Sequence, residues 1–354
     1  MESKLFSPFD IRGVTFRNRV GVAPMTRVSS SKDGIPRKDV FDFLIRRARN
    51  DAALVYTEAI LTDYESAQGY PNQSRLVTQR QIDAWGPVVR AIEEAGAVAV
   101  MQMFHCGRVA WPEINPANRT IAPSPVAPKQ NNTLTGNPYP VPDEMSPFDI
   151  KHAIEGFIAT ARGAVAAGFQ GVEIHGAHGY LVNSFLSTYS NRRTDAWGGS
   201  VENRFRFARE IIRRVREAMP DDRLLFFRIS NWGVADPEVS LFEKAEWEET
   251  IRLLDREPLD AISVSTMDYS ARAFDTGMNM AQLTREHTGK PVFICGRIFD
   301  RDTAEEAIDN ADMVLSAKSL LLNPNWVQDI RDRKPLKTRT NKESNIAYTG
   351  EPLP

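Results

Sequence analysis

The chain is predicted to be an α/β protein folded as a single (β/α)8 TIM barrel. Three observations carry that reading. Short apolar runs rich in Val, Ile and Phe recur eight times, with helical stretches between them. Strict alternation of strand and helix argues a parallel sheet. A length of 354 residues holds eight such units with room for insertions.

Taken in order, residues 8–17 (PFDIRGVTFR) read as a small hairpin that plugs the barrel bottom. Strands are expected at 20–25, 53–59, 98–104, 171–175, 224–229, 260–265, 291–295 and 312–317. Residues 105–149 carry nine of the 22 prolines and no helical period. A loop that long is functional or disordered. It follows the third strand, on the face where barrels keep active sites, and so reads as a cap over a pocket. Ser146, Pro147 and Asp149 set a capping residue, a first-turn proline and a first-turn acid in order. Ile150, Ile154, Phe157, Ile158, Ala161 and Val165 then form one apolar stripe, and Gly168 ends the helix. Ser200 opens a helix over 201–219, stopped by Pro220. Asp302 to Glu305 has capping-box spacing before Ala304, Ala307 and Ile308. All 354 residues are read as one domain, with a tail at 331–354 that is basic and then polar.

Composition narrows the function classes. Hydrophobic residues make up 42%, enough for a sizeable core, so a fully disordered chain is excluded. A net charge of −2 gives no global attraction to nucleic acid or anionic lipid. No apolar run reaches the length of a membrane span. Cys106 and Cys295 cannot build a disulfide framework, a four-cysteine zinc site or an iron–sulfur cluster. The opening MESKLFSPFD lacks a basic-then-apolar signal pattern. A soluble, cytoplasmic protein is expected, with a small-molecule substrate; self-association into a homo-oligomer is left open.

Polar residues at the C-terminal ends of barrel strands read as catalytic. Here they are Thr26, Glu58, Gln102, His105, His175, Arg228, Ser265, Gly296-Arg297 and Lys318. The last two positions follow strands seven and eight, where a glycine amide and a cation suit a phosphate. Two solvated surface charges are the plainer account of Arg297 and Lys318. His175 and His178, two of five histidines, lie three residues apart past strand four. They read as a pair of donors aimed at one substrate oxygen. With His105 they also make a three-histidine zinc set, and one buried plus one exposed histidine is the structural alternative. Tyr180 is a phenol placed to donate a proton, or a structural tyrosine. Gln102 and Thr26 are neutral groups suited to reading a heterocycle edge. Arg228 interrupts a very apolar strand, so it either pairs with a carboxylate such as Glu173 or stabilises an anionic cofactor ring.

Together these residues resemble the old yellow enzyme family of flavin-dependent ene-reductases. The similarity runs from KLFSPF through the last strand. Asn18-Arg19-Val20, Ala23-Pro24-Met25-Thr26-Arg27, Gln102 and His105-x-Gly107-Arg108 are similar to family blocks. The most specific stretch is 167–207, AGFQGVEIHGAHGYLVNSFLSTYSNRRTDAWGGSVENRFRF. Many members have Gly-Arg where this chain has Ala317-Lys318; a lysine remains a phosphate partner, as a point charge.

The resemblance implies bound FMN, with NADPH or NADH as transient hydride donor in the substrate pocket and no GxGxxG motif. It implies that Ala23, Pro24, Met25, Thr26, Ala59, Gln102 and Arg228 hold the flavin ring, and that Gly296, Arg297, Ala317 and Lys318 hold its phosphate. His175 and His178 would bind the activating oxygen of an α,β-unsaturated carbonyl compound. Hydride would pass from flavin N5 to the β-carbon while Tyr180 protonates the α-carbon, with no metal. The rival readings are a zinc-dependent hydrolase using His105, His175 and His178, and a non-catalytic flavin-binding protein.

Overall fold

The computed structural model describes residues 3–63, 65–132 and 135–337. The tail reading at 331–354 therefore lies outside the described residues beyond 337.

Eight parallel strands close a barrel in sequence order: β1 (Val20–Val22), β2 (Leu54–Leu61), β3 (Val98–Phe104), β4 (Gly171–His178), β5 (Leu224–Gly233), β6 (Ala261–Ser265), β7 (Val292–Cys295) and β8 (Met313–Ser316). β8 returns to β1, with Val314 opposite Val20. Closure leaves the barrel itself without an edge strand. The predicted α/β barrel is thus the observed fold, and the eight predicted strands are the eight barrel strands.

Side-chain alternation divides two cores. Val55, Ala99, Met101, Val172, Ile174, Leu225, Phe227 and Ile229 pack outward against helix residues such as Phe43, Trp85, Phe157, Ile211 and Trp247. Leu54, Tyr56, Val98, Val100, Leu224, Phe226, Phe293 and Met313 face the interior. The strands Phe9–Ile11 and Val14–Phe16 pair antiparallel. Their Ile11 and Phe16 join this interior cluster at the N-terminal ends of the barrel strands.

Helix ends follow the capping chemistry of the sequence. The helix Pro147–Ala167 begins at Ser146, whose hydroxyl accepts from Asp149 N while the Asp149 carboxylate accepts from Ser146 N. It ends at Gly168, which takes a left-handed φ of 95° that costs glycine nothing. Val201–Glu217 opens on Ser200 as expected. The cap of Arg301–Asp309 is a correction: Asp300 with Thr303 forms the box, not Asp302 with Glu305. Both spacings satisfy the motif, and Asp300 wins because its extended backbone turns its carboxylate onto the Thr303 amide.

Residues 105–149 hold a short helical turn, Pro112–Ile114, and a two-stranded parallel pair, Ile121–Ala122 with Asp143–Glu144. The segment is pinned to the turn after β5. Asp236 accepts from the Lys129 amide at 2.8 Å and from the Tyr189 hydroxyl at 3.0 Å, and pairs with buried Arg108.

Candidate active site

Inward positions change character along the strands. The bottom of the barrel is apolar; above it, the same alternation places Gln102, Glu173, His175, Arg228, Ser263 and Ser265 facing inward. The register aligns them, with Gln102 opposite Glu173, His175 opposite Arg228, and Ser263 opposite Arg228.

Glu173 is the hub of this layer. Its Oε1 accepts from Arg228 Nε and from Gln102 Nε2, both at 2.8 Å, and its Oε2 accepts from the Tyr56 hydroxyl at 2.8 Å. Burial opposes the charge on Arg228, but Glu173 more than offsets it and keeps the guanidinium firmly protonated. Burial, then Glu173, pushes the Tyr56 phenol well up, so it remains a donor. Arg228 therefore takes the carboxylate pairing the sequence allowed. It also keeps a second face: Nη1 donates to Cys295 Sγ at 3.4 Å, and Nη2 is buried without a hydrogen-bond partner among the described residues.

The two histidines project from the end of β4. After Gly176 the register shifts, and His178 and Gly179 take φ values of 63° and 77°. Positive φ is uncommon outside glycine. Here it turns the chain from strand to helix, bringing His175, His178 and Tyr180 onto one cavity. A Cβ at Gly176 would sit 2.3 Å from the Phe227 ring, so this close approach requires glycine. Ring centroids lie 5.0 Å apart for His175–His178 and 5.1 Å for His175–Tyr180. The Ala177 amide donates to His175 Nδ1 at 3.3 Å, which leaves the proton of a neutral ring on Nε2. Burial, then His178 and Arg228, hold His175 well below the usual histidine range. Burial and Arg228 lower His178 to about 3. Both rings are neutral donors near pH 7. The Tyr180 hydroxyl meets that of Tyr70 at 2.8 Å.

These groups line a cavity of about 540 Å³ with Pro24, Met25, Thr26, Ala59, Gln102 and Arg228. Eight of the residues singled out from the sequence, besides Tyr180, are thus brought together. Others are not on this cavity. Ala23 is buried, its amide on Ser316 O at 2.9 Å. Gly296, Arg297, Ala317 and Lys318 follow the paired strands β7 and β8 side by side, beyond the cavity lining. A Cβ at Gly296 would meet Thr266 O at 2.4 Å, so glycine is required. The Arg297 side chain is 62% exposed and 3.5 Å from Asp268. Glu58 turns away from the cavity. It accepts from the Arg27 amide at 2.9 Å and from the Ser74 hydroxyl, bracing the chain beside Thr26.

His105 is a correction to the three-histidine set. Its Nε2 donates to Asp63 at 3.0 Å, and its Nδ1 accepts from the Gly107 amide at 3.1 Å. Both ring nitrogens are committed, so the zinc set does not assemble. Sequence reasoning missed Tyr70, Trp232, Asn131 and Tyr139, all on the cavity wall. Trp232 was within reach: β5 runs four residues past its expected end, and 228, 230 and 232 share one face.

The NADH:flavin oxidoreductase / NADH oxidase family model matches residues 4–337. An "NADPH dehydrogenase" of Geobacillus sp. (strain WCH70) is 35% identical, over 92% of this chain and 93% of the relative. An "NADH oxidase" of Thermoanaerobacter brockii is 30% identical over 98% of this chain, which spans 53% of that longer relative. The solved old yellow enzyme homologue from Zymomonas mobilis superposes with a TM-score of 0.87 at 26% identity, covering 99% of this chain and 97% of the other. The chain belongs to the NADH:flavin oxidoreductase / NADH oxidase family, and it shares its closed-barrel fold with the solved homologue. It is an NAD(P)H-dependent FMN oxidoreductase of the old yellow enzyme type.

The residues present fit the flavin. Arg228 Nη2 is an orphaned buried donor beside the cavity. Gln102 spends its Nε2 on Glu173 and keeps its amide oxygen, and Thr26 adds a hydroxyl to the lining. Donors and an acceptor on one wall match the mixed edge of a heterocycle.

Proposed function

We propose that the enzyme reduces the activated C=C bond of α,β-unsaturated carbonyl compounds. The observation that carries this is the convergence of two neutral histidines and a tyrosine hydroxyl on one cavity. Pro24, Met25, Thr26, Ala59, Gln102 and Arg228 hold the ring of FMN, with Ala23 supporting that strand end; Gly296, Arg297, Ala317 and Lys318 hold its phosphate. FMN, when bound, supplies the hydride that ends on the substrate β-carbon, taken in turn from NADPH or NADH.

The chain's own groups do the rest. His175 donates from Nε2 to the substrate carbonyl oxygen, and His178 donates beside it, so charge developing on that oxygen meets two preorganised donors. Because both rings are neutral, neither loses its proton to the oxygen. Tyr180 gives its hydroxyl proton to the α-carbon. Tyr70, bonded to the same oxygen and more exposed than Tyr180, steadies it as the proton leaves. The segment 105–149 caps the site, with Asn131 and Tyr139 limiting water.

The test is product analysis after turnover of a cyclic enone with NADPH in D2O. The saturated ketone with deuterium on the α-carbon and none on the β-carbon is expected. An allylic alcohol, or deuterium on the β-carbon, contradicts the reading.

A further inference from the structure

Two imidazoles aimed at one oxygen must both present N–H, and a neutral ring carries a single N–H. For His175 the backbone decides, since the Ala177 amide occupies Nδ1. For His178 a chain of side chains decides. His178 Nε2 lies 2.8 Å from Ser265 Oγ, which lies 3.3 Å from Cys295 Sγ, which lies 3.4 Å from Arg228 Nη1.

The direction of this chain follows from its fixed end. A guanidinium only donates, so the sulfur accepts from Arg228. The thiol proton then has two acceptors in reach, Ser265 Oγ at 3.3 Å and Val264 O at 4.0 Å. With the thiol on the nearer one, the serine hydroxyl donates to His178 Nε2, and the ring proton sits on Nδ1. In the reverse order His178 Nε2 donates to serine, serine donates to a sulfur already accepting from arginine, and the thiol is left with the 4.0 Å contact. The first order gives the guanidinium, thiol and hydroxyl donors the shorter contacts and leaves the imidazole N–H for a ligand. The reverse order would also leave Nδ1 of His178, a residue lining the cavity, with a lone pair rather than a proton to offer a ligand.

The ring has little freedom to escape this choice. The His178 backbone is held at both ends, its N–H donating to Ser230 Oγ at 2.7 Å and its C=O accepting from the Val234 amide at 3.0 Å. The Trp232 ring lies against the imidazole with centroids 4.5 Å apart, itself fixed by donation from Nε1 to Ser265 O at 3.1 Å.

We propose that Ser265 is a positioning residue that holds His178 as the Nδ1–H tautomer, with Cys295 setting the direction of the serine hydroxyl. His175 and His178 then donate from opposite ring nitrogens, Nε2 and Nδ1. The consequence for catalysis rests on the reading of His178 as a substrate donor; the tautomer itself does not.

The experiment is long-range proton–nitrogen correlation on FMN-loaded enzyme labelled with 15N-histidine. The five histidines are few enough to assign by single substitutions at the other positions. Wild type should show a pyrrole-type Nδ1 and pyridine-type Nε2 for His178, and the reverse for His175. Ser265→Ala should move His178 toward the other tautomer while His175 stays unchanged as an internal control of the fold. Ser265→Thr, which keeps the hydroxyl, should restore the wild-type pattern. A wild-type His178 carrying its proton on Nε2 overturns the proposal, as does a Ser265→Ala spectrum identical to wild type. Binding of a para-substituted phenol, a mimic of the charged substrate oxygen, separates the two levels. Ser265→Ala should weaken it about fivefold, the scale of one hydrogen bond. A switched tautomer with unchanged phenol affinity upholds the Ser265 assignment and overturns the donor role of His178.

Discussion

The two halves of the barrel mouth are built from different material. Between β2 and β6 the site consists of buried and half-buried side chains, each fixed by a partner: Gln102, Tyr56 and Arg228 on Glu173, His178 on Ser265, Tyr180 on Tyr70. After β7 and β8, the half proposed for the phosphate, it consists of a sterically required glycine, an exposed arginine and a lysine heading a short helix. Chemistry needs groups held in one geometry, whereas holding a phosphate needs positive charge and accessible amides. Changes in the first half should therefore alter reactivity sharply, and changes in the second should alter affinity gently and in a salt-dependent way.

The largest contrast is expected at Tyr180. Tyr180→Phe keeps the ring contact with Phe104, whose centroid lies 4.6 Å away. Stopped-flow flavin absorbance should show reduction by NAD(P)H near the wild-type rate and reoxidation by an enone slowed about 10²–10⁴-fold. Equal slowing of both halves would make Tyr180 a wall of the pocket, and the contrast would fail. Next comes Arg228→Ala, which leaves the buried Glu173 carboxylate without its cation. A loss of about 3–5 kcal/mol in unfolding free energy is expected, and Arg228→Lys should recover part of it. Unchanged denaturation midpoints would mean the network is not what holds this half.

Lys318→Ala should be milder, weakening FMN about 3–10-fold with turnover of the loaded enzyme unchanged. The loss should shrink as salt rises, since Lys318 is half-buried and charges in contact with solvent are screened. A loss that is independent of salt would contradict the open, electrostatic character of that half. The smallest effect on turnover is expected at Glu58, whose pKa burial raises from 4.5 to about 7 despite its bonds to Ser74 and the Arg27 amide. Between those values the folded state holds a proton on Glu58 that the unfolded state has lost, so the contribution of Glu58 to stability falls as pH rises. The neutral His175 and His178 pull the other way, so the effect is read as the difference between wild type and Glu58→Gln, which should fall by at most about 1.4 kcal/mol per pH unit. A difference independent of pH over that range would contradict the burial of Glu58.

The barrel was legible in the sequence because strand runs and helix caps are local signals, as at Ser146 and Gly168. Site positions were legible where a polar residue interrupts an apolar strand, as Arg228 does in LLFFRIS. What the residues do to one another was not. His105 looked like a third metal-ligand histidine until the fold placed Asp63, 42 positions away, within 3.0 Å of its ring. Tyr70 lies in a stretch without period, and its contact with Tyr180 spans 110 positions. Long-range partners of this kind are fixed by barrel closure, which no local pattern encodes.

Transfer of hydride from this mouth to an activated alkene can be followed in a single anaerobic titration. The purified protein should carry flavin that acid releases as FMN, and NADPH or NADH should bleach it. One equivalent of cyclohexenone should then restore the oxidised spectrum and yield cyclohexanone. A bleached enzyme that oxygen recolours and the enone does not would contradict the account.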